Sequence, residues 1–135
     1  MSKGRPLNFK KEIKRINRFA NTLPEILGGT ALKHFDDSFD KEGFLDKGRT
    51  KWKPSQRVKR YGGKTLQDTG RLRRSGKHTR LSRSRIRVDY NDAPYGKYNN
   101  SGTSRLPIRK FIGDSFSLRK KINKRIIREL KKVFK

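Results

Sequence analysis

Leu7, Phe9, Ile13, Ile16 and Ala20 recur at three- and four-residue spacing, the period of an apolar stripe along one α-helix. Lys10, Lys11, Lys14, Arg15 and Arg18 fill the other faces, and Asn8 is placed to cap the start. Pro24, with Thr22 two residues before it, predicts a boundary and the cap of a second helix. That helix carries its stripe through Leu27, Ala31, His34 or Phe35, and Phe39. Gly28-Gly29 weakens it by about 1 kcal/mol per glycine relative to alanine. The pair marks either a break or a place where another backbone packs closely.

Residues 40–70 keep no period. Gly43, Gly48, Pro54 and Gly62-Gly63 punctuate them, and the reading is a long basic loop with a turn of helix near 55–61. In Arg85-Ile86-Arg87-Val88-Asp89-Tyr90 the pattern changes to strict alternation, with Ile86, Val88 and Tyr90 on one face of a strand. Arg83, Arg85 and Arg87 fall on the other face. Residues 74–81 are the expected hairpin partner, turning through Leu81-Ser82-Arg83-Ser84. An Asn/Ser/Gly-rich connection with Tyr95, Tyr98 and Gly102 follows, and Leu106-Pro107-Ile108 reads as an extended edge piece. From about Ser115 to Lys135 the helical stripe returns as Leu118, Ile122, Ile126, Leu130 and Val133, widened by Ile127 and Phe134. Asp114 or Ser115 can cap it, and Lys131, Lys132 and Lys135 suit the dipole at its end.

These elements predict one α+β domain over residues 1–135. A twisted antiparallel sheet packs against long N-terminal and C-terminal helices. The parts are a helical region at 1–40, a basic loop at 41–70, a sheet region at 71–112 and a final helix at 114–135.

Charge changes the picture more than any other property. The chain carries 38 Lys+Arg against 12 Asp+Glu, a net charge of +26. Residues 1–48 hold 10 basic against 7 acidic side chains, a balance of +3, whereas residues 49–135 hold 28 against 5, a balance of +23. Such a field repels itself inside a compact chain and is relieved by a polyanion or an acidic partner surface. Hydrophobic residues make up only 30% of the chain, but the 13 aromatics sit in periodic patterns that favour a folded domain with basic loops.

The candidate contacts to nucleic acid or an acidic partner are Arg71, Arg73, Arg74, Lys77, Arg83, Arg85, Arg87, Arg109 and Lys110. Side chains two apart on a strand stand about 6.5–7 Å apart, near the phosphate spacing of a nucleic-acid strand. Arg71, Arg73, Arg74 and Lys77 follow Asp68-Thr69-Gly70, a turn that opens a short helix with Asp68 as its candidate cap. The basic residues are spread over several elements, which suits backbone contact rather than base reading. Trp52, Tyr95, Tyr98 and Phe111 are the candidate interface or packing anchors.

Other chemistries find little footing. There are no cysteines and only two histidines, His34 and His78, so thiol chemistry, disulfides and Cys- or His-rich metal centres are excluded. Asp36, Asp37 and Asp40 can hold a divalent ion, but an ion-pair role is the simpler reading. Gly62-Gly63-Lys64-Thr65 lacks the upstream glycine of a phosphate-binding loop. No cofactor and no catalytic residue is expected. No apolar run approaches the roughly 20 residues that span a bilayer, and the start lacks a secretory signal's apolar stretch. The expectation is a soluble protein made in a cytoplasm.

The order of motifs is distinctive. Trp52-x-Pro54 precedes Leu66-Gln67-Asp68-Thr69-Gly70-Arg71-Leu72-Arg73-Arg74-Ser75. Then come Pro94-Tyr95-Gly96-Lys97-Tyr98-Asn99 and Ile108-Arg109-Lys110-Phe111-Ile112-Gly113. Over residues 35–115 this resembles the tailed-bacteriophage virion morphogenesis family of neck and tail-completion proteins. That family's pattern is W-x-P, then I/L-x-x-T/S-G-x-L-R-x-S, then P-Y-A-x-x-H-x-x-G, then R-P/K-F-L/I-G. Gly96 stands in place of the usual alanine, and Tyr98-Asn99 where a histidine is common. The resemblance implies an α+β subunit of a homo-oligomeric ring in the virion neck or tail, assembled in the host bacterial cytoplasm. Its partners would be neighbouring portal, neck or tail proteins, with double-stranded DNA passing through the ring and no membrane. Composition alone also fits a standalone basic nucleic-acid-binding protein of ribosomal or DNA-packing type.

Overall fold

A computed structural model describes Pro6 and residues 8–134. Leu7 and Lys135, assigned above to helix positions, lie outside the described residues. Helix α1 runs unbroken from Phe9 to Lys41, then the short strands β1 (Gly43–Leu45) and β2 (Arg49–Lys51) form a ribbon. Helices α2 (Gln56–Tyr61) and α3 (Arg71–Arg74) lead to a second ribbon, β3 (Lys77–Arg80) and β4 (Ile86–Asp89). Helix α4 (Gly96–Ser101) and the terminal helix α5 (Phe116–Val133) complete the chain. The α+β class and the long flanking helices are as expected.

The sheet is not a single sheet. β1 pairs antiparallel with β2, β3 pairs antiparallel with β4, and the ribbons are separate. The first ribbon lies inside the stretch read as loop, because three-residue strands are too short for alternation to register. Its turn closes through Asp46 N–H to the carbonyl of Gly48, 2.9 Å. The helical turn expected near 55–61 is α2, capped by Ser55 accepting from Val58 N–H.

Two breaks did not form. Pro24 lies inside α1 and is buried. A proline in a helix interior removes one backbone bond and costs about 3 kcal/mol, so packing must hold the two halves in line. The Arg80 guanidinium helps by donating to the carbonyl of Asn21 in the weakened turn. Thr22 does not cap; its hydroxyl donates back to the Phe19 carbonyl at 2.9 Å. The closely packed backbone allowed for at Gly28-Gly29 is not there; side chains approach Gly28 instead, since a Cβ there would lie 2.4 Å from Ile86 Cδ1 and 3.0 Å from His78 Cβ. The second ribbon therefore lies directly on the helix.

The core is mostly aromatic. Phe39, fully buried, stands edge-on to Trp52 with ring centroids 5.7 Å apart, and 5.5 Å from Phe111. Tyr90 meets Phe111 edge-on at 5.0 Å, and Leu72, Ala93, Phe35 and Leu118 fill the rest. Aromatic pairs of this geometry add about 0.5–1.5 kcal/mol beyond area burial. The Trp52 indole N–H donates to the Lys110 carbonyl at 2.8 Å, tying residues 58 positions apart. Gly96 lets α4 sit on this core, because a Cβ would lie 2.7 Å from Leu72 Cδ1.

Leu106-Pro107-Ile108 forms no strand. Leu106 lies in a bend and the residues after it are irregular, and the Asn100 carboxamide oxygen accepts from the N–H groups of Phe111 and Ile112 just after it. Ser115, rather than Asp114, caps α5 by accepting from Leu118 N–H. The outer parts of the two long helices leave Phe9, Ile13, Ile16, Ile127, Leu130 and Phe134 exposed.

Candidate polyanion interface

The structure divides the predicted contact residues into three kinds. Arg73 belongs to the fold. Its Nε and Nη2 donate to the two oxygens of Asp36 at 2.8 Å each; Nη1 and Nη2 donate to Asp40 at 2.7 and 3.1 Å, and Nη1 also donates to Gln67 Oε1 at 3.1 Å. All five guanidinium donors are thereby used. These hydrogen bonds hold the Arg73 guanidinium above its ordinary pKa, and they hold the Asp40 carboxyl below its own. The acidic group on α1 thus serves an arginine clamp between α1 and α3. Arg109 is also turned inward, only 6% exposed, and donates from Nε to the Lys53 carbonyl at 2.8 Å.

A second kind is half-committed. Lys77 reaches Asp92 at 3.2 Å, Arg74 donates to the Thr69 carbonyl at 2.9 Å, and Arg71 donates to the Asp92 carbonyl at 3.1 Å while lying over the Tyr95 ring. Lys110 lies over the Phe44 ring, 4.6 Å from its centre. Asp68, the expected cap of α3, instead faces Arg57 at 3.6 Å; the residue before α3 is Gly70, in a left-handed conformation.

Arg83, Arg85 and Arg87 are exposed, but they do not line one strand. The strand begins only at Ile86. Arg83 stands in the turn and Arg85 at its end, where its carbonyl accepts from Leu81 N–H at 3.0 Å. Arg87 lies on the outward face of β4 and reaches Asp89 at 3.1 Å. The three arginines therefore do not form a row along one strand face. Of the anchors, Trp52 and Phe111 are core residues, whereas Tyr95 and Tyr98 are 40% and 48% exposed and each carries a cation over its ring.

A basic surface absent from the predicted contacts lies between the long helices. Lys33 of α1 with Lys121, Lys124, Arg125 and Arg128 of α5 lines a groove of about 430 Å³. The α5 cations lie on the helix that carries the Leu118–Val133 stripe, and Lys33 joins them from α1. At the groove floor His34 is buried. Its Nε2 lies 3.0 Å from the Leu45 carbonyl, and Lys121 Nζ lies 3.1 Å from Nδ1. That arrangement suits a neutral ring with the proton on Nε2, and burial lowers its pKa.

Acidic groups decide the electrostatics. All twelve carboxylates are engaged within the fold. Nine face a lysine or arginine, Glu25 lies 3.4 Å from the His78 ring, Glu42 accepts from Thr65 N–H at 2.9 Å and Asp46 from Phe116 N–H at 2.6 Å. Most of the described lysines and arginines have no carboxylate within 4 Å. The chain has no acid left with which to neutralise itself.

Among the described residues no helix is long and apolar enough to cross a membrane. Comparison with protein-family models, with curated proteins and with solved structures returned no match.

Proposed function

We propose that the chain is a non-enzymatic structural subunit whose basic surface contacts DNA or acidic neighbouring proteins. Its assembly is a ring in the neck or tail of a tailed bacteriophage, as a head–tail connector or tail-completion component. The observation that carries the electrostatic part is the exhaustion of internal acids: twelve engaged carboxylates leave +26 to be met from outside. Closing such subunits into a ring multiplies the repulsion, so counter-charge becomes a condition of assembly.

Support for the phage setting comes from the ordered motifs over residues 35–115 and from a fold of the class they imply. Residues of those motifs also hold this chain's core together. Trp52, Leu72 and Phe111 build the core, and Gly96 sits where a side chain would collide with it. Exposed Phe9, Ile13, Ile16, Ile127, Leu130 and Phe134 give the helical arm an apolar surface suited to subunit contact.

Electron microscopy of the purified chain and mass spectrometry of purified particles test the reading. Closed rings and a fixed copy number per virion are expected. A chain found only free in the host cell refutes it, and DNA binding by a chain that forms no rings and is absent from particles points instead to the standalone nucleic-acid-binding protein.

A further inference from the structure

Arg109 poses a problem that the surface does not. A buried guanidinium is costly unless its donors are met and its charge is paired. Here only Nε has a protein acceptor, the Lys53 carbonyl at 2.8 Å. Burial alone lowers its pKa, with no neighbouring charge acting the other way. Its two terminal nitrogens have no acceptor among the described residues, and they are not closed off inside the core but open onto a cleft of about 560 Å³ that the side chain lines.

The rest of that cleft is built for negative charge. Arg57 of α2 and Arg71 of α3 also line it. Arg57 is held by the Lys64 carbonyl at 2.8 Å and Arg71 by the Asp92 carbonyl at 3.1 Å, so both positions are fixed while neither charge is neutralised by these bonds. Thr69 adds a hydroxyl and Tyr95 an aromatic wall. A single carboxylate, Asp68, shares the lining; it is 72% exposed and faces Arg57 Nε.

We propose that this cleft binds a compact oxyanion, a phosphate or carboxylate group, gripped by the free fork of Arg109 and flanked by Arg57 and Arg71. A planar guanidinium matches two oxygens at once, which a lysine does not. The recess favours a group carried on a slender stem over the broad ridge of a duplex, and its volume exceeds that of a bare ion. The cleft is distinct from the hairpin-tip arginines, and failure of an anion to enter it would leave the assembly state of the chain untouched.

Calorimetric titration of the full chain with inorganic phosphate, and separately with succinate, tests this. Saturable one-to-one binding is expected from at least one of the two, and comparing them identifies phosphate or carboxylate as the preferred group. Arg57→Ala and Arg71→Ala, both at positions outside the core, each weaken it about tenfold. Asp68→Asn tightens it, and Arg83→Ala with Arg85→Ala leaves it unchanged. Arg109→Lys abolishes the fork while keeping the charge, and weakens binding at least as much as Arg71→Ala. Non-saturable binding, or equal binding by the Arg57, Arg71 and Arg83/Arg85 variants, overturns the site and leaves only a diffuse ion atmosphere.

Discussion

Replacing Arg73 by leucine should destabilise the fold, although the sequence places this arginine among surface contacts. Five donors reach Asp36, Asp40 and Gln67 at 2.7–3.1 Å. Charge-assisted bonds taken singly are worth about 1.5–3 kcal/mol, but adding five would overshoot. The Asp36 and Asp40 side chains are 39% and 54% exposed and rehydrate once released. A loss of about 2–3 kcal/mol remains, or roughly 6–12 °C in Tm for a domain of this size. Arg73→Lys should lose about half as much, because the charge stays while the fork is gone. The pH dependence has a definite sign. Asp40 is held below its ordinary value, so its contribution is full above about pH 4 and is lost as pH falls through the folded value. Thermal unfolding of wild type and variant from pH 7 to pH 2.5 should therefore show the gap narrowing below pH 4. A Tm within 2 °C of wild type at pH 7 would refute the clamp and return Arg73 to the contact surface.

Arg85→Glu with Arg87→Glu should leave Tm within about 2 °C, since both side chains are exposed, yet impair polyanion contact or assembly; wild-type DNA affinity in the double variant sinks that role. His34, buried against Leu45, Ser115 and Lys121 with Asp37 nearby, has a lowered folded pKa, so stability should be full above about pH 6.5 and decline as pH falls below it. Urea unfolding at pH 7.5 and 5.5 checks this, and His34→Gln should flatten the difference. Gly28→Val should cost about 1–3 kcal/mol by pushing the second ribbon off α1, and a neutral result would mean the contact is loose.

The long helices were legible because many turns repeat one stripe; α5 keeps its pattern over 18 residues and its cap at Ser115. The β3–β4 ribbon was legible through Ile86, Val88 and Tyr90. Three features were not. Pro24 is a local signal against a helix, overridden by burial that only the tertiary fold supplies. The strands Gly43–Leu45 and Arg49–Lys51 are too short to show a period. Which arginines face inward was hidden too, because Arg73 and Arg85 look alike in sequence. The i, i+4 pair Asp36 and Asp40 was the available clue, two carboxylates on one helix face that need a cation.

The sharpest measurement of the charge argument is the affinity of the full chain for a short duplex DNA as salt is raised. With roughly six phosphates contacted, log K should fall against log salt with a slope of about −5, whatever the base sequence. A slope indistinguishable from zero, or no binding at low salt, would contradict the claim that this surplus of positive charge is open to a polyanion from outside the chain.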